Sequence, residues 1–205
     1  LRTALQQPLP GAPAQYAMAH QLRESYGDAP ADAARAGVLV LLLPTFQSRA
    51  PHLVFIRRTS HDPRDRHAGQ IGFPGGRVEP TDADLAATAL REAEEEIGIP
   101  RERVEVLGPL TPLYIPVSNF LVFPLVGMLS EPAAYIPQTS EVDEVIELPL
   151  ADFLLPGRRK LMDKKLPNGL MLTDMPYYDF PGTTIWGATA MMTGELLAVV
   201  QTQRA

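Results

Sequence analysis

The sequence predicts an α/β fold, a mixed β-sheet with helices packed against it. Three observations carry this. Short runs dense in branched and aromatic residues, such as GVLVLLLP and LVFIRR, are flanked by Pro or Gly and read as strands. One amphipathic helix, with start and stop signals, follows a long polar connection. The last segment, IWGATAMMTGELLAVVQ, is apolar around much of its length and reads as a buried helix, with Trp186, Met191 and Met192 packing a core.

Taken in order, residues 1–36 are rich in Ala, Pro and Gln and read as an N-terminal arm with one helix over Ala14–Ser25. The domain then spans 37–205. Two strands, GVLVLLLP and LVFIRR, are joined by TFQSRAPH. The connection TSHDPRDRHAGQIGFPGGRVEP, residues 59–80, is too irregular for a regular element, and loops of that length in compact domains are usually functional or disordered. A helix follows, capped by Thr81 or Asp82 and stopped by Gly98 and Pro100. VEVLGPL, NFLVFPLVGML and EVIEL read as further strands, LADFLL as a short helix, and RKLMD with LTDMPYYDF as a hairpin.

The bulk numbers exclude several function classes. With 205 residues, the chain can bury a substantial core. A net charge of −6 and a pI near 5.2 give no electrostatic footprint for nucleic acid or an anionic membrane. Cysteine is absent, which removes disulfides, thiolate nucleophiles and Cys-based zinc sites, and suits a cytoplasmic setting. The longest apolar run, Val38–Leu43, is a strand's length, and no secretory signal or peroxisomal address is expected. His20, His52 and His61 lack partners at ligand spacing and read as surface or loop residues. Dinucleotide-fold, Walker-loop and Ser-His-Asp patterns are all missing.

The helix carries the chemistry. LREAEEEIGI places Glu92, Glu94, Glu95 and Glu96 in five positions without an interspersed lysine, although like charges one turn apart repel. With Leu85 at zero, Ala86, Leu90, Ala93 and Ile97 form an apolar stripe between roughly 80° and 140°. Glu92, Glu95 and Glu96 share an arc away from that stripe, within reach of a common point, and Glu94 points elsewhere. Three hard oxygen ligands on a rigid element suit Mg²⁺ or Mn²⁺ with substrate phosphates. Just ahead, FPGGR supplies two glycines that let backbone approach a ligand.

Gly76, fifteen positions before Arg91-Glu92-Ala93-x-Glu95-Glu96-x-Gly98-Ile99, closely resembles the signature of the Nudix hydrolases. The second half is complete. The first half is one residue longer than the family's pattern, its glutamate slot holds Asp82, and neither Asp82 nor Glu79 is assigned a metal role. The resemblance implies a Nudix-type α/β/α sandwich with a loop–helix–loop metal site. It also implies Glu92, Glu95 and Glu96 as catalytic carboxylates and metal ligands, with the Gly76 carbonyl as an additional ligand. Arg91 orients them, and the water-activating base is Glu92 or an acid on a later loop, where Glu141 and Glu144 lie.

The segment VFIRRTS…R…GQIGFPGG further resembles the coenzyme A pyrophosphatase branch, as do Thr88-Ala89-Leu90, LYIPVSNFLVFPLVG and IWGATA. That resemblance implies a small-molecule diphosphate substrate, CoA or acyl-CoA, held by Arg58, Arg64, His67, Gln70 and Gly75. It implies no nucleic acid or membrane partner and allows a homodimer. Arginine forks match phosphate oxygens, and Arg57, Arg58, Arg64, Arg66 and His67 cluster in an otherwise acidic chain. Two alternatives stand beside this reading: a Nudix pyrophosphatase of ADP-ribose, NADH or another nucleoside diphosphate derivative, and a silent nucleotide-binding sensor. The complete glutamate set argues against the sensor.

Overall fold

The computed structural model describes residues 1–25, 27–44, 51–59, 67–165 and 169–202. The chain begins with two short helices, α1 (Arg2–Leu5) and α2 (Ala12–Tyr16), and a 3-10 turn over Gln21–Ser25. Eight strands then build one mixed sheet: β1 (Ala34–Leu43), β2 (His52–Arg58), β3 (Ile71–Gly72), β4 (Gly75–Arg77), β5 (Val104–Pro109), β6 (Leu113–Ile115), β7 (Phe120–Leu129) and β8 (Val142–Pro149). Its path runs β3-β2-β1-β7-β5, with β4 paired to β1, β6 to β7 and β8 to β2. β1 and β7 run parallel, and the other pairings are antiparallel. A second, antiparallel sheet holds β9 (Arg159–Lys165), β10 (Met171–Phe180) and β11 (Thr183–Trp186).

Side-chain alternation along β1 separates two cores. Leu39, Leu41 and Leu43 pack with Ala89, Ala93 and Ile97 of α3 (Leu85–Ile97). Val40 and Leu42 belong to the opposite cluster, with Met191, Leu196 and Leu197 of α4 (Gly187–Gln201). A strand buried on both faces reads as a continuous apolar run, as GVLVLLLP does. The α/β/α layering is the expected one. No helix among the described residues is long and apolar enough to cross a membrane.

Several elements differ from the sequence expectation. The Ala14–Ser25 helix is broken after Tyr16, where Arg159 Nη2 donates to the Ala17 carbonyl at 3.2 Å. That carbonyl serves a tertiary partner instead of a further turn. The 59–80 connection contains β3 and β4, which are too short to show periodicity. Ile185 and Trp186 belong to β11, not to the last helix, because they pair with Tyr178 and Tyr177. Between Pro149 and Pro156, LADFLL closes as a 3-10 turn over Leu150–Leu154.

Candidate active site

The FPGG segment is seated from below by Phe73, whose ring stacks on Phe55 with centroids 4.7 Å apart. It then enters β4, where Gly76 lies opposite Gly37 of β1. α3 crosses at this point. A Cβ on Gly37 would stand 2.7 Å from the Leu85 carbonyl oxygen and 2.9 Å from the Ala89 nitrogen. A Cβ on Gly76 would stand 2.5 Å from the Glu92 carboxyl. The glycines therefore admit the helix backbone and one of its carboxylates against the sheet.

The helix cap is Asp84, whose Oδ1 accepts from the Ala87 N–H at 2.8 Å, in place of the Thr81 or Asp82 expected. Asp82 does something else. Its carboxylate receives Arg91 Nε at 2.9 Å and Nη2 at 3.0 Å, the Thr88 hydroxyl at 2.9 Å and the Glu79 N–H at 2.9 Å. The Arg91 guanidinium and the Glu79 N–H hold its carboxyl well below the usual carboxylate range. Arg91 is itself raised by Asp82 and donates on to Glu92 at 2.9 Å, Glu95 at 3.0 Å and the Arg77 carbonyl at 3.1 Å. Arg91 thus couples a fixed anchor to two signature glutamates, and Asp82 and Thr88 are the anchor that sequence reasoning missed. The signal was present, since Asp82 occupies the sixth position after Gly76.

The three glutamates do not share one exposed arc. Glu95 is 59% exposed and Glu92 14%, whereas the Glu96 side chain is 2% exposed. Thr88, Ala89, Ala93, Glu96 and Ile97 form the buried face, so the helix is rotated toward its small residues from the stripe expected. Close approach at Gly37 favours alanines over Leu90 at the contact. Glu96 accepts from the Gly75 N–H at 2.9 Å and lies 3.6 Å from Arg58 Nη1. Burial pushes its carboxyl up to about 8, against the pull of the Gly75 N–H and Arg58 and with further push from Glu92 and Glu141. Burial also raises Glu92, with Arg91 opposing.

The remaining expected residues divide. Arg58, His67 and Gln70 come together: the Arg58 N–H donates to the Gln70 carbonyl at 3.0 Å, and His67 Nδ1 lies 3.3 Å from Gln70 Oε1. Arg64 lies outside the described residues. Glu141 is exposed, its carbonyl accepts from the Thr59 N–H at 2.8 Å, and its charge reaches Glu92 and Glu96. Glu144 instead pairs with Arg57 at 3.0 Å across β2 and β8. Arg57 also donates to the Gly182 carbonyl at 3.1 Å, so it braces the two sheets.

Among the described residues, no group of three or more His, Asp or Glu side chains is arranged to hold a metal ion, and Arg91 Nη1 bridges Glu92 and Glu95. The donor chemistry nevertheless fits a hard divalent cation. Glu96 is buried and Glu92 half-buried, burial raises both carboxyls even though Arg58 and Arg91 stand beside them, and Glu92 rests on a glycine that leaves room for nothing larger.

Fold and loop–helix–loop together define the Nudix class of α/β/α sandwiches. The NUDIX domain family profile matches residues 33–168. Relatives in Salmonella paratyphi B and Salmonella newport, each described as an uncharacterized Nudix hydrolase, NudL, are 38% identical over 156 residues, covering 76% of this chain and 79% of theirs. Among solved structures, the Nudix hydrolase RenU of M. smegmatis aligns with a TM-score of 0.55 at 16% identity, over 83% of this chain and 87% of its own. A MutT protein of Methanosarcina mazei Go1 gives 0.53 at 16% identity, over 86% and 100%. The chain belongs to the Nudix family and is a Nudix hydrolase, a pyrophosphatase acting on phosphoanhydrides, a family that generally uses divalent metals.

Proposed function

We propose that this enzyme hydrolyses the diphosphate of CoA or acyl-CoA, giving 3′,5′-ADP and a 4′-phosphopantetheine derivative. The observation that carries the reading is Arg58, delivered by β2 to within 3.6 Å of the buried Glu96. A guanidinium at that place, at the mouth of an arginine-rich connection, suits a substrate with three phosphoryl groups.

Glu92 and Glu96, with Glu95 and the Gly76 carbonyl, would hold Mg²⁺ or Mn²⁺. Such a cation, when bound, neutralises diphosphate oxygens and acidifies water. Arg91, fixed by Asp82, orients Glu92 and Glu95. A carboxylate, Glu92 or Glu141, takes the proton of water as its oxygen bonds to phosphorus, and the anhydride oxygen leaves with the other phosphoryl group. Arg58, with Arg64, binds phosphate oxygens, while His67, Gln70 and Gly75 shape the loop around them.

The test is chromatographic product analysis with Mg²⁺ or Mn²⁺ on CoA, dephospho-CoA, ADP-ribose and NADH in parallel. Release of 3′,5′-ADP from CoA, with dephospho-CoA markedly slower, is expected. Preferred cleavage of ADP-ribose or NADH would retain the Nudix chemistry and discard the CoA reading.

A further inference from the structure

Between β7 and β8 the chain runs over residues 130–141, and Glu141 stands at the end of that connection. The connection has no helix or strand of its own. Backbone hydrogen bonds hold it instead, and two of them go to α3. The last carbonyls of a helix have no partner within it. Here the Ile136 N–H donates to the Ile97 carbonyl at 2.9 Å, and the Gln138 N–H donates to the Glu96 carbonyl at 2.9 Å. Gly98 makes the approach possible. It turns left-handed at a φ of 70° and donates its N–H to the Glu94 carbonyl at 3.0 Å. A Cβ on it would stand 2.7 Å from the Ile136 Cβ. Ala133 and Tyr135 pack on the core that α3 shares with β1.

From Gln138 the hold passes to Glu141. The Gln138 carbonyl accepts from the Glu141 N–H at 2.9 Å and the Val142 N–H at 2.8 Å, which closes a tight turn. The Glu141 carbonyl accepts from the Thr59 N–H at 2.8 Å, and Thr59 follows Arg58. Arg58 itself lies opposite Val142, where the register between β2 and β8 shifts. The Glu141 backbone is therefore fixed from two sides. One side is the residue whose side chain is the buried Glu96 carboxyl, and the other is the strand that delivers Arg58. The Glu141 side chain is exposed, and behind burial its charge is one of the groups that raise both Glu92 and Glu96.

We propose that residues 136–141 form a positioning strap, in which the Gln138 N–H on the Glu96 carbonyl sets where Glu141 stands relative to the glutamates of α3. The inference rests on the reading that Glu141 works at the site, and it holds whichever phosphoanhydride is cleaved. Gln138 is a positioning residue, because it acts only through Glu141. A carboxylate on a loop ordinarily moves with the loop, whereas this one moves with the helix. A shift of α3 carries Glu96 and Glu141 together and preserves their separation. The strap acts on kcat rather than KM, because it governs the geometry of reacting groups.

Gln138→Pro removes the single N–H, and Gln138→Ala keeps it. Kinetics with Mg²⁺ are compared in the wild type, both Gln138 variants, Glu141→Gln and the double variant Glu141→Gln/Gln138→Pro, using whichever of CoA and ADP-ribose is cleaved faster. Glu141→Gln and Gln138→Pro should each lower kcat by about 100-fold, the scale of a misplaced or missing catalytic group. Gln138→Ala should rescue the loss. The double variant should fall within about threefold of Glu141→Gln alone, because the strap then has nothing left to position. Hydrogen exchange on the metal-free protein reads the strap without turnover. Gln138→Pro should speed exchange at Thr59, Glu141 and Val142 while Ala93 and Ile97 of α3 keep their protection. Losses that multiply to about 10⁴-fold in the double variant, or α3 amides that open as well, would make Gln138 a support of the helix and overturn the strap. Wild-type kcat in Gln138→Pro overturns it too. If CoA is cleaved and Glu141→Gln keeps wild-type kcat, the strap fails and the CoA reading stands. If only ADP-ribose is cleaved and the kinetics are as expected, the CoA reading fails and the strap stands.

Discussion

Asp82 and Glu96 lie near arginines on either side of one helix, yet their surroundings move them in opposite directions. Asp82 is lowered, chiefly by Arg91, so its contribution to stability is present above the ordinary aspartate range and is lost as pH falls through its folded value. Glu96 is raised from an ordinary 4.5 to about 8, so the native state holds that proton more tightly than the unfolded chain. Its stabilising contribution is full below about 4.5 and is lost as pH rises through about 8, at most about 5 kcal/mol across the window. Thermal unfolding in EDTA should show Tm falling between pH 5 and pH 8, and Glu96→Gln should flatten that slope and abolish turnover. A slope unchanged in Glu96→Gln would remove Glu96 as its cause. Asp82→Asn leaves Arg91 without its bidentate partner. Loss of such an outer support typically costs about 10- to 100-fold in activity, which should fall on kcat more than on KM. Wild-type kcat in this variant would show that Arg91 needs no anchor. The sequence displayed all of these acids. It could not show that Asp82 serves the arginine, because an aspartate in a glutamate slot and one added residue have opposite effects on reach, and only side-chain geometry resolves them.

Seating α3 is an element-scale matter, and Gly37 decides it. Any side chain there meets backbone atoms of Leu85 and Ala89, which cannot rotate away. Gly37→Ala should therefore lift the helix from β1 at a cost of about 1–3 kcal/mol, lowering Tm by about 2–4 °C per kcal/mol in a chain of this size. Because Glu92 and Glu96 ride on that helix, activity should fall even at temperatures where the variant is fully folded. A stability loss with unchanged kcat would mean that the helix tolerates the shift. The strands around this seat were legible, because β1, β2, β5, β7 and β8 are runs of branched residues between Pro or Gly. The helix was legible in extent but not in rotation. Its closest contacts are alanines packed near a glycine, and hydrophobic periodicity weighs leucine above alanine. β3 and β4 were not legible, since strands of two or three residues arise from partners rather than from pattern.

For the whole molecule, the question is what joins the N-terminal segment to the sandwich, and Glu195 supplies the joint. It is wholly buried in α4, in a helix whose sequence reads as apolar, and nothing in that pattern marks its acid as a hub. Its carboxylate accepts from the Gly11 N–H at 3.1 Å, Gln15 Nε2 at 2.8 Å, the Thr111 hydroxyl at 2.6 Å and the Thr111 N–H at 3.2 Å. Gln15 also donates to the Thr111 carbonyl at 2.8 Å, so one network ties α2, α4 and the turn before β6. Glu195→Leu strands these donors in an apolar setting, at about 1–3 kcal/mol for each that finds no water. The full sum need not be reached. The segment can detach and hydrate its own groups, which limits the loss to the free energy of its docking. Hydrogen exchange should then show residues 11–18 losing protection before the strands of the main sheet, as a unit that opens on its own. Uniform loss of protection across β1 and β7 would instead make Glu195 part of the global core, and the segment no separate unit.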